Sequence, residues 1–153
     1  MSTLLVSVIV VALFFDFTNG FHDAANAIGT SISTRAIPPT VALVLAAVLN
    51  FVGALLSTNI AATVCNGIVV PQVVTLEMVL MGLLAAIIWN LVTWYFGIPS
   101  SSSHCLVGGI AGAVLVGFGS IGVQWMGIVA KVLIPTVVSP VLGYVFGLTF
   151  NLL

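Results

Sequence analysis

The chain has 153 residues, 61% of them hydrophobic and only 3% charged, with a formal net charge of −1. A soluble domain carries about 25% charged residues because its surface must face water. Two basic and three acidic residues (Arg35, Lys131, Asp16, Asp23, Glu77) therefore exclude a water-facing globule and make lipid the solvent for most of the surface. They also leave no basic patch for nucleic acid, and too few cations for the positive-inside rule to set orientation.

Leu4 to Phe15 is an apolar run that resembles the core of a signal peptide, but no basic residue precedes it and no small-residue cleavage site follows. It reads as the start of a membrane helix that is too short to cross alone. The polar stretch DFTNGFHDAANAIGTSISTR follows at Asp16, with two acids, a histidine and two asparagines in an otherwise aliphatic chain. A short apolar half beside a polar interruption is the mark of a discontinuous helix. The expectation is a break at Asn19 to Asp23, with Asp23 capping a second half-helix that runs through Ala24 to Ser31 towards Arg35. Residues 1–35 are thus expected to form a broken helix.

A span follows at 36–57, because about 20 apolar residues cross a bilayer as a helix. Ser57 to Thr75 is mixed and gives no pattern. Cys65 and Cys105 stand alone, without metal or disulfide spacing, and read as small apolar fillers. Met78 to Ile98 has spanning length, and Pro99 then discourages helix at Ile98. Ser100 to Ser103 favour a helix N-cap, and Cys105 to Gly119 is again a short apolar half. Gly108, Gly109 and Gly112 permit another helix to approach closely. Residues 76–119 read either as a helix with a re-entrant hairpin or as a helix with an interfacial loop, which Trp94 and Tyr95 favour as belt residues. The last span, 123–153, contains Pro135 and Pro140 and is expected to kink, with Thr136 and Ser139 available to the freed carbonyls. With no polar extension at either end, the expectation is a single membrane domain over 1–153 that works within the bilayer.

Ionisable groups in membrane segments cost about 2.5–3.5 kcal/mol each on the insertion scale. That makes Asp23 and His22 functional candidates, although Asp23 also suits a cap and His22 also suits a hydrogen bond to a carbonyl. Asp16, one turn earlier, is open to a structural role. The serines suggest the ligand. A helix start offers unpaired N–H groups and a positive dipole end, and Ser100 to Ser103 add hydroxyl donors that hold an oxyanion without an arginine clamp. Asp23 repels such an anion unless a proton on Asp23, a proton on the substrate or a bound cation neutralises one of them. This makes the carboxylate a coupling device, with Asn19, Asn26 and carbonyls freed at the break completing cation coordination. His104 and Thr30 stand nearby in sequence as secondary candidates, with His22 and Ser100. Two rivals remain: a passive anion channel lined by the serines, and an intramembrane hydrolase using Ser103 with His22 or His104, for which no G-x-S-x-G elbow is present.

The stretch NGFHDAANAIGTSISTRA, and LLAAIIWNLVTWYFGIPSSSSH followed by GGIAG, resemble the two signatures of the PiT inorganic phosphate transporter family, in that family's order. The resemblance implies an all-α membrane fold: a polytopic helical bundle with a broken first helix and a re-entrant helical hairpin, one half of an inverted-repeat transporter. It implies cation-coupled phosphate symport in the cell membrane by a multi-pass, non-enzymatic protein with no cofactor. Asp23 and Asn26 then serve the substrate and cation site, and Ser101, Ser102 and Ser103 contact phosphate from the hairpin tip. The form FHD, where sodium-coupled relatives tend to have AND, is closer to the bacterial low-affinity branch, which implies a proton rather than sodium, with phosphate carried free or as a divalent metal complex. Family members carry two inverted repeats, and these residues hold one copy of each motif. The chain is therefore expected to be a fragment or truncated product that does not transport, or a half-size subunit that pairs with a second repeat. A monomer alone is expected not to transport.

Overall fold

The computed structural model describes residues 2–56 and 67–151. Helix α1 spans Thr3–Ser33, α2 Pro39–Leu56, α3 Leu76–Tyr95 and α4 Ser102–Phe118. Trp125–Ile128 (α5) runs through a π-helical turn, Val129–Leu133, into α6, Ile134–Asn151. Three stretches, Thr3–Ser33, Leu76–Tyr95 and Trp125–Phe150, are long and apolar enough to cross a membrane. The all-helical bundle expected from the sequence is present; Cys65 lies outside the described residues.

One expectation is corrected here: α1 is a single unbroken helix of 31 residues. At 1.5 Å per residue it is about 46 Å long, well beyond the roughly 30 Å of bilayer hydrocarbon. No proline interrupts residues 16–34, and Gly20 costs only about 1 kcal/mol in a helix that is already nucleated. The polar side chains need not break the backbone because neighbouring helices satisfy them. Asp23 accordingly caps nothing. The helix ends instead in a Schellman arrangement around Arg35 at φ 59°, where Ala36 N donates to Ser31 O and Arg35 N to Ile32 O. Pro39 then opens α2 at the position where a missing N–H costs nothing.

Helix α3 starts at Thr75, whose hydroxyl accepts from Met78 N, and ends at Tyr95, three residues short of Ile98. A turn at Gly97 (φ 65°) and Pro99 reverses the chain into α4, making an antiparallel hairpin. At 17 residues α4 is about 26 Å long, shorter than the hydrocarbon core. Its closest approach to α3 is at one of the three glycines the sequence singled out. A Cβ on Gly109 would strike the carbonyl oxygen of Gly82, whereas Gly108 and Gly112 face open space.

Two apolar clusters position the hairpin. Phe15, Leu83, Ala86 and Ile87 join α1 to α3, with Cys105 and Leu106 of α4 packed against them. Ile68, Val69, Val114 and Val123 form the second at the hairpin's other end, closed by an isolated bridge between Val69 and Val123. Of the two prolines expected to kink the last span, Pro135 follows a π turn over Val129–Leu133, which widens the helix where the ring cannot donate, and Pro140 lies inside α6. Thr136 Oγ1 donates to Val132 O at 2.6 Å.

Candidate functional site

The polar residues of α1 fall on one helical face at three- and four-residue steps: Thr18, Asn19, His22 and Asp23, continuing the line of Phe15. Asn90 and Thr93 continue the line of Ala86 and Ile87 on α3 in the same way. One layer beyond the shared cluster, Thr93 Oγ1 meets His22 Nε2 at 3.3 Å, so α1 and α3 run parallel with the two polar lines face to face. The N-terminus of α4 caps this seam. The buried polar residues among those described are Thr18, His22, Asn90, Thr93 and Ser102, and all five line it, at 0 to 5% exposure. The bundle thus concentrates its buried polarity in one place.

Ser102 is the junction. Its hydroxyl hydrogen faces two acceptors, Asn19 Oδ1 and Asp23 Oδ2, and can serve only one at a time. Asp23 Oδ1 in turn lies 3.3 Å from His22 Nδ1, with the histidine ring buried and the carboxylate half-exposed. Thr93 Oγ1 also lies 2.9 Å from Trp89 O and 3.1 Å from Asn90 O, either of which can take its hydrogen. A continuous chain therefore runs Ser102, Asp23, His22, Thr93, across three helices. Beneath it, both amide atoms of Asn90 are buried without a partner.

The other serines of the run diverge. Ser101 is the N-cap, accepting from His104 N at 3.4 Å, and it also bonds Ser103 Oγ at 2.9 Å. Ser100 Oγ lies 3.5 Å from Cys105 Sγ. Ser103 and His104 face the other way, into a cavity of about 590 Å³ shared with Lys131, Thr136 and Ser139. There His104 Nε2 sits 2.9 Å from Thr136 Oγ1. Asn26 and Thr30 are exposed further along α1, outside the chain of bonds, and only the Thr30 carbonyl is engaged, by Ser33 and Thr34. Asp16 is exposed as well. Among the described residues no group of three or more His, Cys, Asp or Glu is placed to hold a metal.

Of the sequence candidates, the structure brings together Asn19, His22, Asp23 and Ser102. Sequence reasoning missed Thr18, Asn90 and Thr93. The signal was available in WNLVTW: an amide and a hydroxyl three residues apart on one face of a helix that is otherwise apolar.

The arrangement has relatives. A family model described as "Phosphate transporter family" matches residues 19–153. The chain is 54% identical over 144 residues to a probable low-affinity inorganic phosphate transporter of Mycobacterium tuberculosis, covering 94% of this chain and 34% of that protein. It is 55% identical over 151 residues to the Streptomyces halstedii protein of the same description, covering 97% of this chain and 70% of that one. Among solved structures, one titled "The sodium-dependent phosphate transporter" superposes with a TM-score of 0.88 at 32% identity, over 99% of this chain and 39% of that one. The chain thus spans about a third of the length of its mycobacterial relatives.

Proposed function

This chain belongs to the phosphate transporter family, a family of transporters and not of enzymes, and it is a multi-pass membrane protein. From that premise we propose that it supplies half of the site of a proton-coupled inorganic phosphate symporter. The observation that carries the reading is the meeting of Ser102, at the start of α4, with Asp23 in the middle of an apolar helix. Hydroxyls at a helix N-terminus favour an oxyanion, and a carboxylate beside them opposes one. The two are compatible when the carboxylate binds its ion first, and this makes anion binding conditional on the ion.

In this reading phosphate sits against the hairpin tip between Ser102 and Asp23; Ser101 and Ser103, bonded to each other here, and the exposed Asn26 join it when the tip moves. Asn19 orients Ser102 and shares in neutralising the site. His22 and Thr93 handle the proton. With the Thr93 hydrogen given to a backbone carbonyl, its oxygen accepts from His22 Nε2–H, and one further proton must then lie between His22 Nδ1 and Asp23. If the Thr93 hydroxyl rotates to donate to Nε2, Nδ1–H donates to an ionised Asp23 and the extra proton is gone. A hydroxyl rotor thus satisfies the histidine in both states. Phosphate travels free or as a divalent metal complex, and a second repeat supplies the facing half.

The test is uptake of labelled phosphate by the full-length protein in proteoliposomes under an imposed pH gradient or an imposed sodium gradient. Acceleration by the pH gradient alone supports the reading. Acceleration by sodium alone replaces the proton with the ion named for the structural relative. Uptake only down the phosphate gradient makes the protein a passive channel.

A further inference from the structure

Two buried residues of the polar seam lie outside the coupling chain: Thr18, whose hydroxyl is taken by Phe15 O, and Asn90. Asn90 is 1% exposed, and neither its Oδ1 nor its Nδ2 has a hydrogen-bond partner. Buried polar groups are almost always paired, and an orphaned one needs a reason. Its position supplies one. Lying between Ile87 and Thr93 on the inner face of α3, it is level with Thr18 and Asn19 on α1, which lie between Phe15 and His22. It is therefore the floor of the seam that Ser102 covers.

An amide presents a donor and an acceptor side by side, so its full complement is a group with an acceptor and a donor on one edge. Neighbouring side chains leave it unpaired: Thr18 gives its hydrogen to Phe15 O, Ser102 gives its own to Asn19 or Asp23, and the Asn19 amide, though it has the right donor and acceptor, makes no bond to Asn90. A protonated tetrahedral oxyanion does offer it, with one oxygen accepting from Nδ2 and a neighbouring hydroxyl donating to Oδ1. Phosphate at neutral pH carries such a hydroxyl, and sulfate does not. We infer that Asn90 is the specificity-determining residue of the site, selecting protonated phosphate over fully deprotonated oxyanions by pairing both of its amide atoms with one P–O/P–OH edge. This rests on the phosphate reading above. The anion reaches the amide when the hairpin tip, turned at Gly97 and Pro99, lifts Ser102 from α1.

Two substitutions in the full-length protein separate this role from a structural one, with labelled phosphate uptake in proteoliposomes and sulfate as competitor. Asn90→Leu removes donor and acceptor together. The expected result is a KM for phosphate raised about 10-fold or more, as for a lost pair of buried hydrogen bonds, and sulfate becoming a competitor. Asn90→Asp keeps the acceptor and loses the donor, so affinity falls while sulfate stays excluded. Loss of selectivity in one variant and its retention in the other do not follow from loosened packing, and thermal unfolding of each purified variant reports the packing separately. If phosphate KM and sulfate exclusion are unchanged in both variants, or if both lose selectivity alike, the inference is overturned. A wild-type protein that takes up no phosphate overturns the transport reading and this inference with it.

Discussion

Two regions of this protein have nearly the same hydropathy and opposite construction. Among the described residues, helices α1, α3 and α4 hold the five buried polar side chains between them, whereas α6 has none and presents exposed side chains, with Thr136 and Ser139 at the cavity beside His104. Helix α2 resembles α6, with Ala42 as its buried residue. In lipid, apolar surface does not drive helices together, so association rests on close packing and polar contacts between helices. The α3–α4 pair has both, with Gly82 against Gly109 at mid-helix and Ser102 against α1 at the tip. Composition marks both regions as membrane helices, and buried polarity marks which of them form the candidate site.

The contrast can be broken most forcefully at the glycines. Gly109→Leu forces a side chain into the Gly82 carbonyl, where backbone must yield, and overpacking of this kind costs about 1–3 kcal/mol or more; loss of folded protein in detergent by size-exclusion chromatography is the expected outcome. Next comes Asp23→Asn, which keeps the shape and removes the carboxylate. Gradient-driven uptake by the full-length protein should fall to the uncoupled level while phosphate exchange at equilibrium persists, since an amide has no acidic proton to exchange; unchanged gradient-driven uptake sinks the coupling role.

Ser102→Ala leaves Asp23 and Asn19 without their shared donor, and a hydrogen bond to a charged group is worth about 1.5–3 kcal/mol. A 10- to 100-fold rise in phosphate KM is expected, with Ser100→Ala, whose hydroxyl lies against Cys105 Sγ and not Asp23, much weaker. Thr93→Val should cost about 1 kcal/mol as a neutral hydrogen bond and flatten the pH dependence of uptake, which Thr93→Ser should restore. Leu142→Ala on exposed α6 sharpens the comparison from the other side, since surface substitutions stay within about 0.5 kcal/mol. A larger loss in the full-length protein would show that α6 is packed against something in the assembled transporter.

Much of this was legible in the sequence. Five charges in 153 residues dictate a membrane protein whatever its fold. Pro99 and the serines after it mark the turn and the cap of the next helix, because both effects are local: a ring that keeps the preceding residue out of helix and a hydroxyl that reaches an N–H three residues on, although α3 itself stops earlier, at Tyr95. The polar cluster at Asn19 to Asp23 announced a site for the same reason, as a cost that a purely structural helix would not carry.

The structure decided what depends on neighbours. Polar residues in a membrane helix can be satisfied by breaking their own helix or by bonding to another, and the sequence of α1 does not contain the partner that chooses. Ser102 and Thr93 lie 79 and 71 residues from the groups on α1 that they bond, and their presence leaves the helix intact. The same packing selects among four adjacent serines, turning Ser102 towards Asp23 and Ser103 towards the cavity by α6, because successive residues on a helix point about 100° apart. It also brings Asn90 to the floor of the seam with its amide unpaired. Local chemistry wrote the membrane class and the motifs, and only the parallel stacking of α1 on α3 under the hairpin tip made them a site.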